Sequence, residues 1–413
     1  MLDSVIILTG GQGTRMKSKT AKVLHKLCGK AIIQWVLESV IKLKPKTIVV
    51  VVKYQAEDIK KFIKSLKISN IVFVTQSDIY GTGQAVKDAL ESVGNIGETL
   101  VVAGDTPLLK ATTLKKMFVA HKASKAKATL LTTKIDNPTG FGRIVRQNNK
   151  IVKIVEESEA TAEQKVIKEV NTSIYIFAIE TLRQFINKLQ NNNSKSEILL
   201  TDIILYIAKI EQVQIVMNND KYEVLGVNDR VQLAQLSNYK YLQIAKQHML
   251  NGVTIMDPKT TYIEADIKIG QDTVILPGCI ITFPCKIGKN ATIGPYSYLR
   301  PYTQLGDGGK IGGFVEIKNA KIGNLSKVPH LSYVGDAEIG DATNIGAGSI
   351  FANYDGVEKH FTKVGKNCKI GSNTVIISPK NIGDNVYTGA GTVVLSDIKN
   401  DEKVVSDNTN RRI

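Results

Sequence analysis

Beginning at Ile263, an aliphatic residue recurs at every sixth position through ten successive repeats: Ile263, Ile269, Ile275, Ile281, Ile287, Ile293, Leu299, Leu305, Ile311 and Ile317. The frame slips by one, resumes at Ile322, Val328 and Val334, slips again, and continues through Ile339 and Ile345. After an interruption it returns at Val364, Ile370, Ile376 and Ile382. A six-residue period is the signature of a parallel β-helix, whose stacked coils each bury one aliphatic ladder. Three hexapeptides close one triangular coil, so equivalent positions return about every 18 residues. Cys279, Cys285 and Cys368 all fall four residues after a ladder residue, the slot filled elsewhere by Thr273, Ala291, Ser297, Thr343 and Thr374. That slot faces inward, so these cysteines are expected in the core and not in a zinc site. At Phe351 the repeat pauses, and Ala352-Asn-Tyr-Asp-Gly-Val-Glu-Lys-His is expected to protrude as a loop.

The first 229 residues follow a different pattern. Short aliphatic runs at Val5 to Leu8, Thr47 to Val52, Ile71 to Thr75, Leu100 to Ala103 and Thr129 to Thr133 read as buried strands. Amphipathic stretches such as Ile32 to Leu43 and Ala56 to Leu66 stand between them. Strand and helix in alternation predict a mostly parallel, doubly wound α/β sheet with helices on both faces. In such sheets ligands bind at the carboxyl ends of the strands. Val231 to Met249 reads as a polar connecting helix without turn signals, with Ala234, Tyr241, Leu242, Ala245 and Met249 on one side. The expected organisation is therefore an α/β domain over 1–229, a linker helix over 230–250 and a β-helix over 251–413.

Composition excludes several classes. The 413 residues are 43% hydrophobic and 22% charged, an ordinary globular balance. The longest aliphatic run, Ile48 to Val52, is far short of the ~20 residues a membrane span needs. The opening Met1-Leu-Asp-Ser lacks the pattern of a signal peptide, and four cysteines make no disulfide scaffold, so a reducing cytoplasm is expected. Cys28 lies in a turn with no cysteine nearby. The formal net charge is +16, concentrated before residue 250, which suggests an anionic partner. Most of that charge is lysine scattered along helices, such as Lys60, Lys61, Lys64 and Lys67. No basic-aromatic recognition module accompanies it, so a solvated surface and phosphorylated small molecules are expected, not nucleic acid.

The first chemical site opens after the first strand, at Leu8-Thr-Gly-Gly-Gln-Gly-Thr-Arg-Met, with Lys22 shortly beyond. Gly10, Gly11 and Gly13 let backbone N–H groups approach a phosphate chain, while Arg15 and Lys22 can neutralise it. The spacing is neither that of a P-loop nor that of a dinucleotide fingerprint. Gln76 lies near Gly81-Thr82-Gly83, a second turn that opens a helix. Val101-Val-Ala-Gly-Asp105 sets a carboxylate at a strand end, the usual place for a magnesium ligand beside phosphates.

Together these residues resemble the nucleotidyltransferases that join a sugar 1-phosphate to a nucleoside triphosphate. With Gly140-Phe-Gly-Arg-Ile, Ile154-Val-Glu-Glu, Glu169-Val-Asn-Thr and Val224-Leu-Gly-Val-Asn-Asp-Arg, the chain resembles the bifunctional UDP-N-acetylglucosamine pyrophosphorylase/glucosamine-1-phosphate N-acetyltransferase family over nearly its whole length. That family makes a bacterial cell-wall precursor. The resemblance implies that Leu8, Thr9, Gly10, Gly11, Lys22, Gln76, Gly81, Thr82, Ala103, Gly104 and Asp105 contact the uridine nucleotide. It implies Gly142, Glu156 and Asn171 for the N-acetylglucosamine portion, and Asp105 with Asn228 for Mg²⁺. The reaction would be attack of the sugar phosphate on the α-phosphorus of UTP, with catalysis mostly by positioning and charge neutralisation. Four positions depart from the family: Thr9-Gly10 replaces Ala-Ala, Ala21 replaces a proline, and Ala103 replaces a tyrosine.

In the repeat region the residue after each ladder position is usually glycine, as at Gly270, Gly288, Gly294, Gly306, Gly312, Gly340 and Gly346. Arg300 and Lys318 break that rule, and their spacing stacks them on successive coils as a cationic notch for phosphate. His330 is two residues past Val328 and so is expected to point outward, whereas His25, His121, His248 and His360 show no comparable setting. These segments resemble the acetyltransferase half of the same family, with its left-handed β-helix. By that resemblance Arg300, Lys318, Tyr333, Asn344 and Lys359 bind glucosamine 1-phosphate, and His330 is the general base that frees the amine to attack acetyl-CoA. An imidazole pKa near ~6.5 suits that duty. Ala347, Asn353, Tyr354, Ser372 and Ala390 match acetyl-CoA contacts. Arg300 and His330 lie on different coil faces, so the acetyltransferase site is expected between subunits of a homotrimer. Asp407 stands where the family carries an arginine for coenzyme A, so either a terminal arginine substitutes or coenzyme A binds more weakly. Two rival readings remain at this level: nucleotidyl transfer alone, with the β-helix as an oligomerisation platform, or a basic nucleic-acid-binding scaffold.

Overall fold

The computed structural model describes residues 2–148, 150–189 and 197–406. The chain divides into two compact units, Met1–Ser237 and Asn238–Ile413. The division falls inside a helix spanning Arg230–Leu250, within which Leu236 and Ala245 are buried. Leu242 and Met249, expected on one side with Ala245, are exposed where Ala245 is buried, because the apolar stripe is too sparse to commit one face along the whole helix. Asp407 and Arg411 lie outside the described residues. Among those described, no helix is long and apolar enough to cross a membrane.

In the first unit the aliphatic runs form β1 (Ser4–Leu8), β2 (Thr47–Val52), β3 (Ile71–Thr75), β4 (Glu98–Ala103) and β5 (Ala128–Lys134). Three further strands precede the sheet edge: β6 (Arg143–Gln147), β7 (Lys150–Val155) and β8 (Glu169–Ala178), followed by β9 (Val213–Asn218). The sheet order is β9-β5-β8-β4-β1-β2-β3, with β6 paired to β8 and β7. β1 runs parallel to both β2 and β4, with Leu8 opposite Val51 and Ala103. β8 is antiparallel to both of its neighbours. That inserted strand is the one interior element the aliphatic runs did not reveal.

Neighbouring residues of a strand face opposite sides of a sheet, and the core divides accordingly. Val5 and Ile7 join one cluster with the helices Ile32–Ile41, Ala56–Ser65 and Ala111–Ser124. Ile6 joins the other, with Thr82–Ala89, Ile179–Ile186 and Thr201–Ala208. The expected doubly wound sheet is therefore present, and the loops after β1, β3 and β4 open at its carboxyl edge.

The second unit is a parallel β-helix. Stacked partners are joined across 18 residues, as from Ala291 to Thr273, across 17 where the frame slips, as from Thr343 to Ser326, and across 25 at the inserted loop, from Cys368 to Thr343. The ladder residues form one continuous core, each side chain contributing about 1.5–3 kcal/mol by burial. Phe351 fills the next rung after Ile345 and pairs with Ile376. The repeat therefore does not pause there; its ladder slot is occupied by an aromatic ring, and the insertion begins only afterwards. Cys279, Cys285 and Cys368 are buried, with sulfurs directed at main-chain carbonyls. Glycine after the ladder residue has a steric cause: a Cβ on Gly288 would lie 2.7 Å from the backbone of Gly306 on the next coil.

Candidate functional site

The carboxyl edge of the α/β sheet holds a cleft of about 650 Å³. β1 ends at Leu8, and Thr9 is anchored there by its hydroxyl donating to the Val51 carbonyl at 2.6 Å. Gly10 must follow, because a Cβ would collide with the Gln76 amide oxygen. Gln76 is held at the end of β3 by its main-chain N–H to Val52 at 2.8 Å, and its side-chain NH₂ donates to the carbonyls of Ile79 and Gly81 at 3.3 Å each. Its amide oxygen is thereby left as the group presented toward Gly10.

Asp105 follows β4, and its main-chain carbonyl accepts from Val227 at 2.9 Å, which brings Asn228 alongside. The Lys22 ammonium sits between them, paired to the Asp105 carboxylate and donating to the Asn228 side-chain oxygen at 3.3 Å. On the opposite wall the main-chain N–H of Asn171 donates to Gly142 at 2.8 Å, and a Cβ on Gly142 would be 3.5 Å from a Glu156 carboxylate oxygen. Asn171 is fixed by the Tyr175 hydroxyl at 2.8 Å, and burial pushes that phenol well above its ordinary range. Arg143, almost fully buried, bonds Glu157 at 2.6 Å and so fixes the Gly140–Gly142 turn, whose Gly140 N–H reaches the same carboxylate.

The cleft is lined by Leu8, Thr9, Gly10, Gly11, Lys22, Gln76, Gly81, Thr82, Ala103, Asp105, Gly142, Glu156, Asn171 and Asn228. Three expected residues do not line it. Gly13 backs onto the Lys22 stem. Arg15 is exposed in the short turn Thr14–Met16, and Gly104 packs behind the wall against Leu8, Thr9 and Ile33. Sequence reading missed Lys53, Tyr54 and Tyr80, which also line the cleft. The two phenols hydrogen-bond at 2.9 Å, and the Lys53 ammonium lies 4.2 Å from the Tyr80 ring centroid. Lys53 and Tyr54 follow directly on β2, so the strand-end rule applied there would have found them.

The β-helix carries a second constellation. His330 is exposed, and its main-chain carbonyl accepts from Gly348 on the next coil. Ala347 likewise accepts from Asn373, and Ser372 from Gly391, each at 2.7 Å. His330, Ala347, Ser372 and Ala390 therefore rise in one column at one corner, each two residues past a ladder position, with the imidazole at its foot. Asn344 lies on the same sheet, opposite Lys327. Around the corner stand Arg300, Lys318 and Tyr333. Arg300 bonds Glu316 at 2.8 Å. Lys318 is held below the ordinary lysine range by the neighbouring Lys359 ammonium and by desolvation, while Asp336, 3.9 Å away, pulls in the opposite direction.

Asp336 was not foreseen. It is buried, accepts from Asn319 at 2.6 Å, and binds the Asn353 amide through the oxygen nearest Lys318. One carboxylate thus connects the cationic notch to the start of the inserted loop. The loop is closed by pairing of Tyr354 with Lys359 and by His360 with Asp355 at 2.6 Å. His360 is therefore a structural tie, although nothing in its sequence setting marked it. His121 is also structural, buried between Glu98 and Thr129 at 2.7 Å each.

Comparison with known proteins gives concordant matches. The nucleotidyl transferase family model matches residues 4–229, and that of the bacterial transferase hexapeptide (six repeats) matches 284–319. Bifunctional protein GlmU of Bifidobacterium animalis subsp. lactis (strain AD011) is 41% identical, with 99% of this chain and 97% of that protein covered. Bifunctional protein GlmU of Mycobacterium tuberculosis (strain ATCC 25177 / H37Ra) is 40% identical, with 99% and 91% covered. A crystal structure of UDP-glucose pyrophosphorylase complexed with UDP-glucose matches 59% of this chain and 100% of its own, with a TM-score of 0.50 and 16% identity, a likeness of fold alone. The chain belongs to the family of bifunctional GlmU proteins, transferases that carry a nucleotidyl transferase domain and hexapeptide repeats on one polypeptide.

Proposed function

We propose that this protein is a cytoplasmic, homotrimeric enzyme that acetylates glucosamine 1-phosphate with acetyl-CoA on the β-helix and joins the product to UTP in the α/β cleft, releasing pyrophosphate. The observation that carries the acetyl half is the column His330, Ala347, Ser372 and Ala390 beside a separate pair of cations, Arg300 and Lys318. Small side chains leave a smooth edge suited to an extended thioester, with the exposed imidazole at its foot. His330 takes a proton from the sugar ammonium, the freed amine attacks the thioester carbon, and as the C–S bond breaks the surplus proton on nitrogen passes to the departing sulfur, which leaves as the thiol of coenzyme A. Arg300, Lys318 and Lys359 hold the sugar phosphate.

In the cleft, Gln76 offers an acceptor to the N–H of uracil, the Gly10–Gly11 backbone meets the phosphates, and Lys22 offsets their charge. Glu156, Asn171 and Gly142 hold the N-acetylglucosamine portion. Asp105 and Asn228 would hold Mg²⁺; their two oxygens already converge on one cation, the Lys22 ammonium, which fits a hard divalent ion. When bound, that ion would neutralise phosphate charge as the pyrophosphate leaves.

One outward face of the β-helix favours association of copies. Tyr262, Ile280 and Tyr298, stacked on successive coils, and Ile350 and Val393 further along the same ladder, are 37–47% exposed, with Glu316 between the two groups, a largely apolar surface suited to a second copy. The test supplies the purified chain with glucosamine 1-phosphate, acetyl-CoA, UTP and Mg²⁺, measures coenzyme A and pyrophosphate separately, and weighs the particle. Release of both by a trimer is expected. Pyrophosphate from added N-acetylglucosamine 1-phosphate without any coenzyme A would leave only the nucleotidyl half.

A further inference from the structure

We infer that Lys22 occupies the divalent-cation seat until a nucleotide draws it away, so that metal and nucleotide enter the cleft together. This rests on the reading of Asp105 and Asn228 as cation-binding oxygens. The Lys22 ammonium contacts both groups at once, and its side chain and that of Asp105 are 14% and 19% exposed. The arrangement is braced on each side. A Cβ on Gly13, whose φ is +64°, would come within 2.9 Å of the Lys22 Cβ, so that turn lies directly against the lysine stem. Gly226 lies against Asp105, where a Cβ would meet its carboxylate oxygen at 3.2 Å. Asn228 is held by its main-chain N–H donating to Gln232 at 2.8 Å.

Two oxygens are few for a divalent ion. Magnesium seeks about six oxygen ligands, and among the described residues no group of three or more His, Cys, Asp or Glu side chains is placed to hold a metal. A bare cation would therefore have to displace a paired ammonium and then draw most of its ligands from water. A triphosphate changes both terms. Its oxygens supply the missing ligands, and its charge gives the Lys22 ammonium a new partner on the Gly10–Gly11 side of the same cleft. Lys22 is thus a positioning residue that sets the order of entry as well as a phosphate contact.

The test titrates Mn²⁺ into the full chain without nucleotide and reads protein-bound metal by water-proton relaxation. Weak binding is expected for the parent chain, and at least about tenfold tighter binding for Lys22→Met. Lys26→Met, which removes an exposed charge nearby, should bind like the parent and so separates seat occupation from general electrostatics. Addition of a non-hydrolysable UTP analogue should tighten Mn²⁺ binding strongly in the parent chain and much less in Lys22→Met. If Lys22→Met binds no tighter than the parent without nucleotide, while Asp105→Asn abolishes binding with it, the inference is overturned and the cation site stands. If Asp105→Asn leaves binding with nucleotide unchanged, the cation site itself is wrong and the inference goes with it.

Discussion

Replacing Asp336 by asparagine keeps the shape of the side chain and removes its charge. The carboxylate lies 3.9 Å from the Lys318 ammonium, accepts from Asn319 and binds the Asn353 amide. A unit charge pair at that distance is worth about 1–4 kcal/mol for an effective dielectric between roughly 80 and 20. The two side chains are only 19% and 11% exposed, and the desolvation of the pair offsets part of that attraction, leaving about 1–2 kcal/mol. At ~1.4 kcal/mol per factor of ten, the KM for glucosamine 1-phosphate should rise about 5- to 30-fold, with kcat changing less. Loss of the carboxylate also removes the influence that opposes Lys359 and desolvation at Lys318. The Lys318 ammonium then gives up its proton at lower pH, and the alkaline rise in KM should move down the pH scale. Steady-state release of coenzyme A measures both effects, with pyrophosphate release as the control in the other unit. A KM within twofold of the parent and an unmoved alkaline limb would refute the positioning role. Parallel loss of both activities would mean that the substitution acted on folding.

Two further outcomes follow from the packing and the loop. Phe351→Ala empties a fully buried rung of the ladder and should cost about 3–5 kcal/mol in chemical unfolding of the β-helix; a loss under about 1 kcal/mol would mean the coil closes over the gap. The Asp355 carboxyl is held well below the usual carboxylate range by His360 and by the N–H groups of Glu358 and Val357. A depressed carboxylate orders the loop above its unfolded pKa of ~3.9 and loses that contribution as pH falls through the lower folded value. Hydrogen-exchange protection at Val357 and Glu358 should therefore persist at about pH 5, and its loss there would contradict the assignment.

Much of this architecture is written in local pattern. β1, β2 and β4 are unbroken aliphatic runs because they are buried on both faces, β3 is a partly covered edge strand, and the ends of all four in the sequence fall within two residues of their ends in the fold. The ladder is legible because each coil repeats the same steric demand. What escaped is long-range. β8 enters the sheet between β4 and β5, an arrangement that local runs do not encode. Asp336 reads like any turn aspartate, and only the stacking of coils brings Lys318, Asn319 and Asn353 to it. The meeting of Lys22 with Asp105 and Asn228 spans 83 and 206 residues of chain. Arg15 stands in an exposed turn beside the cleft loop, a placement that the neighbouring glycines do not encode.

The most direct measurement compares the parent chain with His330→Ala in separate assays of the two half-reactions. Coenzyme A release from acetyl-CoA and glucosamine 1-phosphate should fall about 10²- to 10⁴-fold, while pyrophosphate release from UTP and N-acetylglucosamine 1-phosphate stays at the parent rate. Normal acetyl transfer without the imidazole would contradict the account.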